Sequence, residues 1–216
     1  AGMDNVCYAI AMEEIARACA STAVIMSVNN SLVCEPLLKF GTEEQKKKYL
    51  PQLCTGDKVW GFGLTEAEAG SDAGGTKTKA VKEGNEWVIN GSKMFITNGP
   101  VADTLLIYAK TAPEKGAKGI SAFIVEKEFP GFSVSRKLKK CGMRGSPTAE
   151  LVFENCEVPA ENLVGQENMG VAVMTSGLDV ERIVLAGGSV GMAQQALDYS
   201  VRYAVEREQF GQPIAN

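Results

Sequence analysis

A small group of charged residues lies in the most apolar part of the last third of the sequence. Asp179, Glu181 and Arg182 are the only charged residues between positions 171 and 192. On a helix, Asp179 and Arg182 can form an ion pair, whereas Glu181 is turned about 100° away from Arg182. A carboxylate that is buried without a cation holds its proton more strongly, which suits a general base working near neutral pH. Glu181 is therefore a candidate base, and plain solvent exposure or a partner outside this sequence is the alternative.

The chain contains no histidine. This excludes Ser-His and Cys-His nucleophile pairs, histidine-ligated zinc and proton transfer by imidazole, so acid-base work falls to other side chains. The six cysteines stand singly among apolar residues, without a C-x-x-C pair. We therefore expect reduced thiols that pack as small hydrophobic groups, and no metal site.

A glycine-rich segment follows a predicted strand at residues 63–75, with the sequence GLTEAEAGSDAGG. Such a loop lets backbone N–H groups approach an anion or an aromatic cofactor ring closely, and its Thr and Ser hydroxyls add donors. It is not a dinucleotide-binding fingerprint, because short antiparallel strands do not supply the helix N-terminus that this motif needs. A flexible connection without a ligand is an equally good interpretation of these residues.

Three segments must position these residues. Residues 1–57 are predicted to be helical, with Met3, Cys7, Ala11, Ile15 and Ala18 on one apolar face. Within them, Thr42 and Gln45 have the spacing of a capping box that begins a helix ending near Gly56.

Residues 58–160 predict a domain of β-strands. The strands are expected at 76–81, 87–90, 92–97, 104–110, 120–126, 132–137 and 148–153. Asn90 and Gly91 form the dipeptide preferred in two-residue hairpin turns, and predict a turn there. No helical crossover is long enough for a parallel sheet, so we expect an antiparallel barrel or sandwich.

Residues 161–216 predict one long helix from about 169 to 210, which would span roughly 60 Å and needs packing along its length. Gly187, Gly188 and Gly191 weaken this helix, and the close approach of another helix is the expected reason. The sequence begins without Met and has no second helix to pack the long one. We therefore expect a fragment that lacks a helical C-terminal portion.

The composition is that of a folded protein and restricts its partners. The chain has 216 residues, of which 45% are hydrophobic and 22% charged, with a net charge of −4. The mild negative charge and the lack of a long basic block argue against a nucleic-acid partner. Without an apolar run of about 18 residues or a signal peptide, membrane insertion and secretion are not expected.

Several stretches of the sequence resemble the acyl-CoA dehydrogenase family, in its order and at its spacing. They are GLTE at 63–66 with AGSD at 69–72, FITNG at 95–99, GMRGS at 142–146 and REQFG at 207–211. The segments 2–4 and 20–32 are most similar to the short-chain, butyryl-CoA branch. The resemblance implies an α+β multidomain fold with an N-terminal helical domain (1–57), a central β-domain (58–160) and the first helix of a C-terminal bundle (161–216).

The resemblance also implies a flavin site and a substrate site. In the family, residues at the positions of Phe62, Leu64, Thr65, Gly70, Ser71, Phe95 and Thr97 surround the flavin of FAD. Arg207 and Phe210 match residues that contact the FAD of a neighbouring subunit, and Ser71, Asp179 and Arg182 match positions that contact the acyl-CoA. Most relatives have Trp where Phe95 stands. The Phe in this sequence keeps an aromatic wall at the position, but its smaller ring can pack more loosely.

Glu181 is the departure from the butyryl-CoA pattern. In the butyryl-CoA and medium-chain branches this position is small or neutral, and the catalytic Glu lies in the C-terminal bundle, beyond Asn216. In isovaleryl-CoA dehydrogenases the base is a Glu within a run similar to LDVER at 178–182. The base is therefore either Glu181 or a residue outside this sequence.

The activity implied by the resemblance is α,β-dehydrogenation of a short- or branched-chain acyl-CoA, with electrons passed to an electron-transferring flavoprotein. A homotetramer is implied, in the cytoplasm of a bacterium or the mitochondrial matrix of a eukaryote. A flavin oxidase that transfers electrons to oxygen and a non-catalytic relative that uses these surfaces for assembly are the alternatives.

Overall fold

The computed structural model describes residues 3–216. The N-terminal helices are α1 (Asn5–Ala18), α2 (Ala20–Ser27), α3 (Glu35–Phe40) and α4 (Glu43–Thr55), with a π-helical segment (Val28–Cys34) that joins α2 to α3. Thr42 and Gln45 form both hydrogen bonds of the predicted capping box at the start of α4, and Gly56 ends this helix in the left-handed conformation.

The buried face of α1 differs from the predicted one. Met12 and Ala16 are buried, whereas Met3, Ala11 and Ala18 are exposed. Alanines occur on several faces of this helix, so spacing alone could not identify the packed face. The neighbouring helix selects it, because α1 packs along the C-terminal helix through Met12 and Ala16.

The central domain is a mostly antiparallel sheet. Its strands are β1 (Trp60–Gly63), β2 (Lys79–Glu83), β3 (Glu86–Thr97), β4 (Thr104–Lys110), β5 (Ile120–Glu126), β6 (Phe132–Lys137), β7 (Thr148–Pro159) and β8 (Leu163–Val164). The order is β6-β7-β3-β2-β4-β5-β8, with β1 also paired to β4. Among residues 3–216, the parallel strand pairs are β1–β4 and β2–β4. The predicted α+β fold class is confirmed.

Both faces of the sheet are covered, which explains the continuous burial of β4 and β5. Trp87, Phe123 and Phe153 belong to the apolar cluster on one face. Trp60 and Tyr108 belong to the cluster on the other face, which also includes residues of α3, α4 and the C-terminal helix. This second cluster joins the helical segments to the β-domain.

The predicted hairpin turn at Asn90 and Gly91 is wrong. These residues lie inside β3, where the register with β7 shifts, and the turn between β2 and β3 is formed by Gly84 and Asn85. A Cβ on Gly91 would lie 2.7 Å from the Cα of Thr78, so the glycine permits a close backbone approach within the sheet. Asn90 therefore lies opposite two residues of β7, Glu154 and Asn155, which form a β-bulge, and the Asn90–Gly91 dipeptide continues β3 instead of turning it.

The long helix α5 (Gly170–Glu206) has 37 residues and is followed by two short paired strands, β9 (Glu208–Gln209) and β10 (Gln212–Pro213). Its glycines face α1 as expected: a Cβ on Gly187 would lie 2.8 Å from the Ala9 carbonyl oxygen, and one on Gly191 would overlap the Glu13 carbonyl. The predicted close approach of another helix is confirmed. Between residues 3 and 216, none of the helices combines the length and apolarity needed to span a membrane.

The cysteines only partly follow their prediction. All six are free thiols, and Cys156 is buried, so that burial raises its pKa to about 12. Cys19, Cys54 and Cys141 are exposed, and for these three the prediction of packed side chains is wrong. Cys19 lies between α1 and α2, Cys54 in the last turn of α4 and Cys141 in the loop between β6 and β7, where apolar neighbours in the sequence do not indicate a covered position.

Candidate active site

The structure brings most of the predicted flavin residues to one place, where the chain after β1 runs beside the end of β3. The Met94 N–H donates to the Thr65 carbonyl over 2.8 Å. Leu64 is buried, Thr65 and Thr97 are half-buried, and the half-buried Phe62 packs against the Tyr108 ring. The β1–β3 junction therefore presents side chains from both strands on a common surface.

Phe95 has an unusual backbone conformation at this junction. Its φ is +61°, in the left-handed region that aromatic residues rarely adopt, and it lies where the register of β3 shifts between Lys93 and Ile96. The bulge turns the ring outward, so that the side chain is 64% exposed. An aromatic face held open in this way suits stacking against a planar ring.

Gly70 and Ser71 lie on the exposed loop that follows. Glu66 and Ala69 exchange backbone hydrogen bonds of 3.0 and 3.2 Å, and this tight turn presents both residues to solvent. A Cβ on Gly70 would meet no atom within 4 Å. Packing within the described chain therefore does not require a glycine here, which leaves room for a ligand.

The donor groups at this surface fit a flavin. Within residues 3–216, the hydroxyls of Thr65, Ser71 and Thr97 make no side-chain hydrogen bond. Together with the exposed Phe95 ring, they provide free hydrogen-bonding groups next to an aromatic wall. These are the two kinds of contact that an isoalloxazine ring needs from a protein.

Lys93 and Glu66 form a buried ion pair under this surface, which the sequence did not predict. The Lys93 ammonium lies 2.7 Å from Glu66 Oε1, and the two side chains are 0% and 6% exposed. Burial alone would raise the pKa of Glu66, but the Lys93 charge and several hydrogen bonds outweigh it and lower the pKa to about 2. The available signal was the two-residue period of β3, which puts Lys93 on the same face as the buried Trp87 and Ile89.

Glu181 is buried, with only 8% of its surface exposed, so of the interpretations left open by the sequence, plain solvent exposure is wrong. Ser27, at the end of α2, donates a hydrogen bond of 2.6 Å from Oγ to Glu181 Oε2. No ion pair to Glu181 occurs in the described part of the chain. Burial raises the pKa of the nearby Tyr8, and the charge of Glu181 acts in the same direction.

Asp179 and Arg182 form the predicted ion pair, with Oδ1 and Nη1 3.3 Å apart. Both side chains are exposed, so the pair lies at the surface while Glu181 points inward. Leu64 belongs to the apolar cluster between the helices and the sheet, and both Phe62 and Leu178, the residue before Asp179, pack against this cluster.

Arg207 and Phe210 lie elsewhere. They are exposed just beyond the end of α5, and Arg207 is 26 positions after Glu181, or about 40 Å along a helix. Phe210 also has a left-handed φ of +57°. Within this chain the structure does not bring them to the other site residues.

Models of three domains of acyl-CoA dehydrogenase match the chain. The N-terminal domain matches residues 1–57, the middle domain residues 61–156 and the C-terminal domain residues 168–216. Together these matches account for most of the sequence, in the order of the helical, β-sheet and helical segments described above.

Sequence relatives agree with this match. A mitochondrial 2-methylacyl-CoA dehydrogenase of Solanum tuberosum is 52% identical over 207 residues, covering 96% of this chain and 50% of the relative. A mitochondrial isovaleryl-CoA dehydrogenase of Oryza sativa subsp. japonica is 51% identical over 213 residues, covering 99% of this chain and 52% of the relative. The chain spans about half the length of these curated relatives.

Solved structures agree as well. A structure described as the electron transferring flavoprotein of Acidaminococcus fermentans matches with a TM-score of 0.96 and 46% identity, over 100% of this chain and 57% of that one. The acyl-CoA dehydrogenase of Bacillus anthracis, solved with FAD, matches with a TM-score of 0.93 and 42% identity, over 100% of this chain and 37% of that one. From its sequence and its fold, the chain belongs to the acyl-CoA dehydrogenase family.

Proposed function

We propose that the complete protein is an FAD-dependent dehydrogenase that converts a short- or branched-chain acyl-CoA into the trans-2-enoyl-CoA. The observation that carries the proposal is the buried Glu181, which pairs with no cation among residues 3–216 and stands where isovaleryl-type sequences have their base. The names of the isovaleryl-CoA and 2-methylacyl-CoA dehydrogenase relatives support a branched acyl group.

Glu181 acts as the general base. The α-proton of a thioester is weakly acidic, so the base must be held in place with little water around it and the carbonyl must be polarised by donors. Ser27 holds Oε2, and Oε1 accepts no hydrogen bond from the described residues, so it is free to take the α-proton. Bound FAD would supply the acceptor for the β-hydrogen, which leaves the substrate as hydride.

The residues of the β1–β3 junction hold and orient the flavin. Phe62, Leu64, Thr65, Gly70, Ser71, Phe95 and Thr97 are the proposed contacts. The free hydroxyls of Thr65 and Thr97 and the exposed Phe95 ring support this role. Ser71 also reaches the acyl thioester, and the exposed Asp179–Arg182 pair contacts the CoA portion.

The wider assignment rests on the family. Residues 1–57, 58–160 and 161–216 form the three domain segments, and the exposed Arg207 and Phe210 contact the FAD of a neighbouring subunit in a homotetramer. An electron-transferring flavoprotein accepts the electrons. The compartment is the mitochondrial matrix for a eukaryotic source and the cytoplasm for a bacterial one.

The test is Glu181→Gln in the complete FAD-containing protein, with isovaleryl-CoA and butyryl-CoA added without oxygen. The variant should stay yellow and fail to bleach, because the amide cannot take the α-proton. Glu167→Gln, at an exposed position just before α5, is the control and should bleach normally. Bleaching by Glu181→Gln at the wild-type rate would assign the base to another residue.

A further inference from the structure

The Glu66–Lys93 pair is the most deeply buried pair of charges in the described chain, and the proposed proton and hydride transfers do not use it. Its Nζ–Oε1 distance is 2.7 Å, and the Lys93 side chain has no exposed surface. Burial lowers the pKa of Lys93, to about 8, and the Glu66 charge opposes this change. Removing two charges from water costs several kcal/mol per ion, so such a pair is weak support for stability.

The pair holds together the two ends of the glycine-rich loop at 67–75. Lys93 Nζ donates to the Leu64 carbonyl at 3.1 Å, before the loop, and to Thr76 Oγ1 at 3.0 Å, after it. The Glu66 carboxylate accepts from the Lys77 N–H at 2.5 Å, from the Thr78 N–H at 3.1 Å and from Thr78 Oγ1 at 2.6 Å. The Thr76 hydroxyl also donates to Glu66. Both ends of the loop are therefore fixed to two side chains.

The same pair fixes the opposite side of the proposed flavin surface. Lys93 directly precedes Met94, whose N–H bonds the Thr65 carbonyl, and it stands two residues before Phe95. The register of β3 shifts directly after Lys93, and this shift turns the Phe95 ring outward. One buried ammonium thus connects the loop that carries Gly70 and Ser71 to the strand that carries Phe95.

We infer that Lys93 and Glu66 are positioning residues that set the distance between the 67–75 loop and Phe95, and so prepare the flavin site before FAD binds. The inference rests on the proposed FAD site. Replacing a whole buried ion pair by apolar residues often costs little stability, so the role of such a pair can be to specify one arrangement of the backbone. Preorganisation of this kind increases affinity because ligand binding no longer has to order the loop.

The test compares the wild-type complete protein with the double variant Glu66→Gln/Lys93→Met, which leaves no unpaired buried charge. The FAD dissociation constant of the apoprotein should rise about tenfold or more, and hydrogen exchange should become faster at 67–75 while β4 and β5 stay protected. Glu43→Gln/Lys46→Met, which removes a surface pair on α4, is the matched control and should change neither measurement.

Thr78→Val is the second variant, in case the double variant does not fold. It removes one donor to Glu66 without burying a charge, and a rise of about threefold in the FAD dissociation constant is expected. If the wild-type protein binds FAD and either folded variant binds it with unchanged affinity and unchanged loop exchange, the inference is wrong. If the wild-type protein binds no FAD, the proposed function itself fails.

Discussion

Because α1 packs closely on α5, the effect of adding one methyl group to α5 depends on the position where it is added. Gly191 faces the Glu13 carbonyl so closely that a Cβ would overlap it, whereas a Cβ on Gly188 would lie 3.6 Å from Met12 Cε and 3.7 Å from Ala16 Cβ. We expect Gly191→Ala to lower the free energy of unfolding and Gly188→Ala to raise it. The two buried positions are three residues apart on the same helix, so each variant controls for the other.

The magnitudes follow from two opposing contributions. Alanine is more favourable than glycine inside a helix by about 1 kcal/mol, and at Gly188 the new methyl makes only ordinary contacts, so this gain is realised. At Gly191 the obstacle is a backbone atom that cannot rotate away, so the helices must separate, and overpacking of this kind costs about 3 kcal/mol. The net loss at Gly191 is about 2 kcal/mol.

Chemical denaturation of both variants in the complete protein, followed by far-UV circular dichroism, measures the difference. Hydrogen exchange in α1 locates it, since Gly191→Ala should increase exchange there and Gly188→Ala should not. Equal stabilisation by both substitutions would refute the reasoning, because it would mean that α1 does not approach α5 at backbone distance near Gly191.

Three further outcomes concern other parts of the chain. Because Glu66 has its pKa lowered from 4.5 to about 2, its charge stabilises the folded state above pH 4.5, and about 3 kcal/mol is lost as the pH falls through this interval. Urea titrations at several pH values in this interval measure how steeply the free energy of unfolding depends on pH. This dependence should be weaker in Glu66→Gln/Lys93→Met than in the wild type, and an equal dependence would contradict the assignment. Gln45→Ala should lower the free energy of unfolding by about 2 kcal/mol in the same assay, because it removes hydrogen bonds of 2.7 and 3.0 Å to the Glu161 and Leu163 carbonyls. Gln52→Ala, at an exposed position, is the control, and an equal loss in both variants would contradict this prediction. Ser71→Ala should reduce kcat/KM without lowering the melting temperature, because the side chain is exposed; loss of soluble protein would show that the loop is structural.

The sequence predicted correctly those features that depend on residues close together in the chain. The capping box at Thr42 and Gln45 and the helix stop at Gly56 depend on residues within a few positions of each other, and the structure has both. The glycines of α5 indicated a close neighbour because they weaken a helix without an evident local purpose. Which face of α1 meets them could not be read from α1 alone.

The Asn90–Gly91 prediction failed because a glycine can serve a turn or a close approach between strands. In β3, Gly91 permits the close approach of Thr78, and the β-bulge beside it is formed by Glu154 and Asn155 of β7. Contacts far along the chain make the choice: Asn90 Oδ1 accepts a 2.8 Å bond from the Asn155 N–H, and Gly91 approaches Thr78. Such pairs become visible only when β2, β3 and β7 are side by side.

The candidate site was partly predictable for a similar reason. The apolar sequence around Glu181 favoured burial without excluding exposure, and its partner Ser27 lies 154 positions away and had no local signal. Lys93 was missed because a lysine is usually exposed. The only indication of its burial was the alternation of side chains along β3, which places Lys93 on the inward-facing side of the strand. Its three acceptors come from segments that precede β3.

The two buried glutamates illustrate how surroundings separate positioning from proton transfer. Glu66 has a cation and several donors, and at a pKa of about 2 it holds no proton at neutral pH and has little tendency to take one. Glu181 has a single hydroxyl donor on one oxygen, no cation within the described chain and a free second oxygen. A carboxylate surrounded as Glu66 is can fix a backbone, while one surrounded as Glu181 is can accept a proton from a substrate. The same side chain therefore supports the two different roles assigned to these positions.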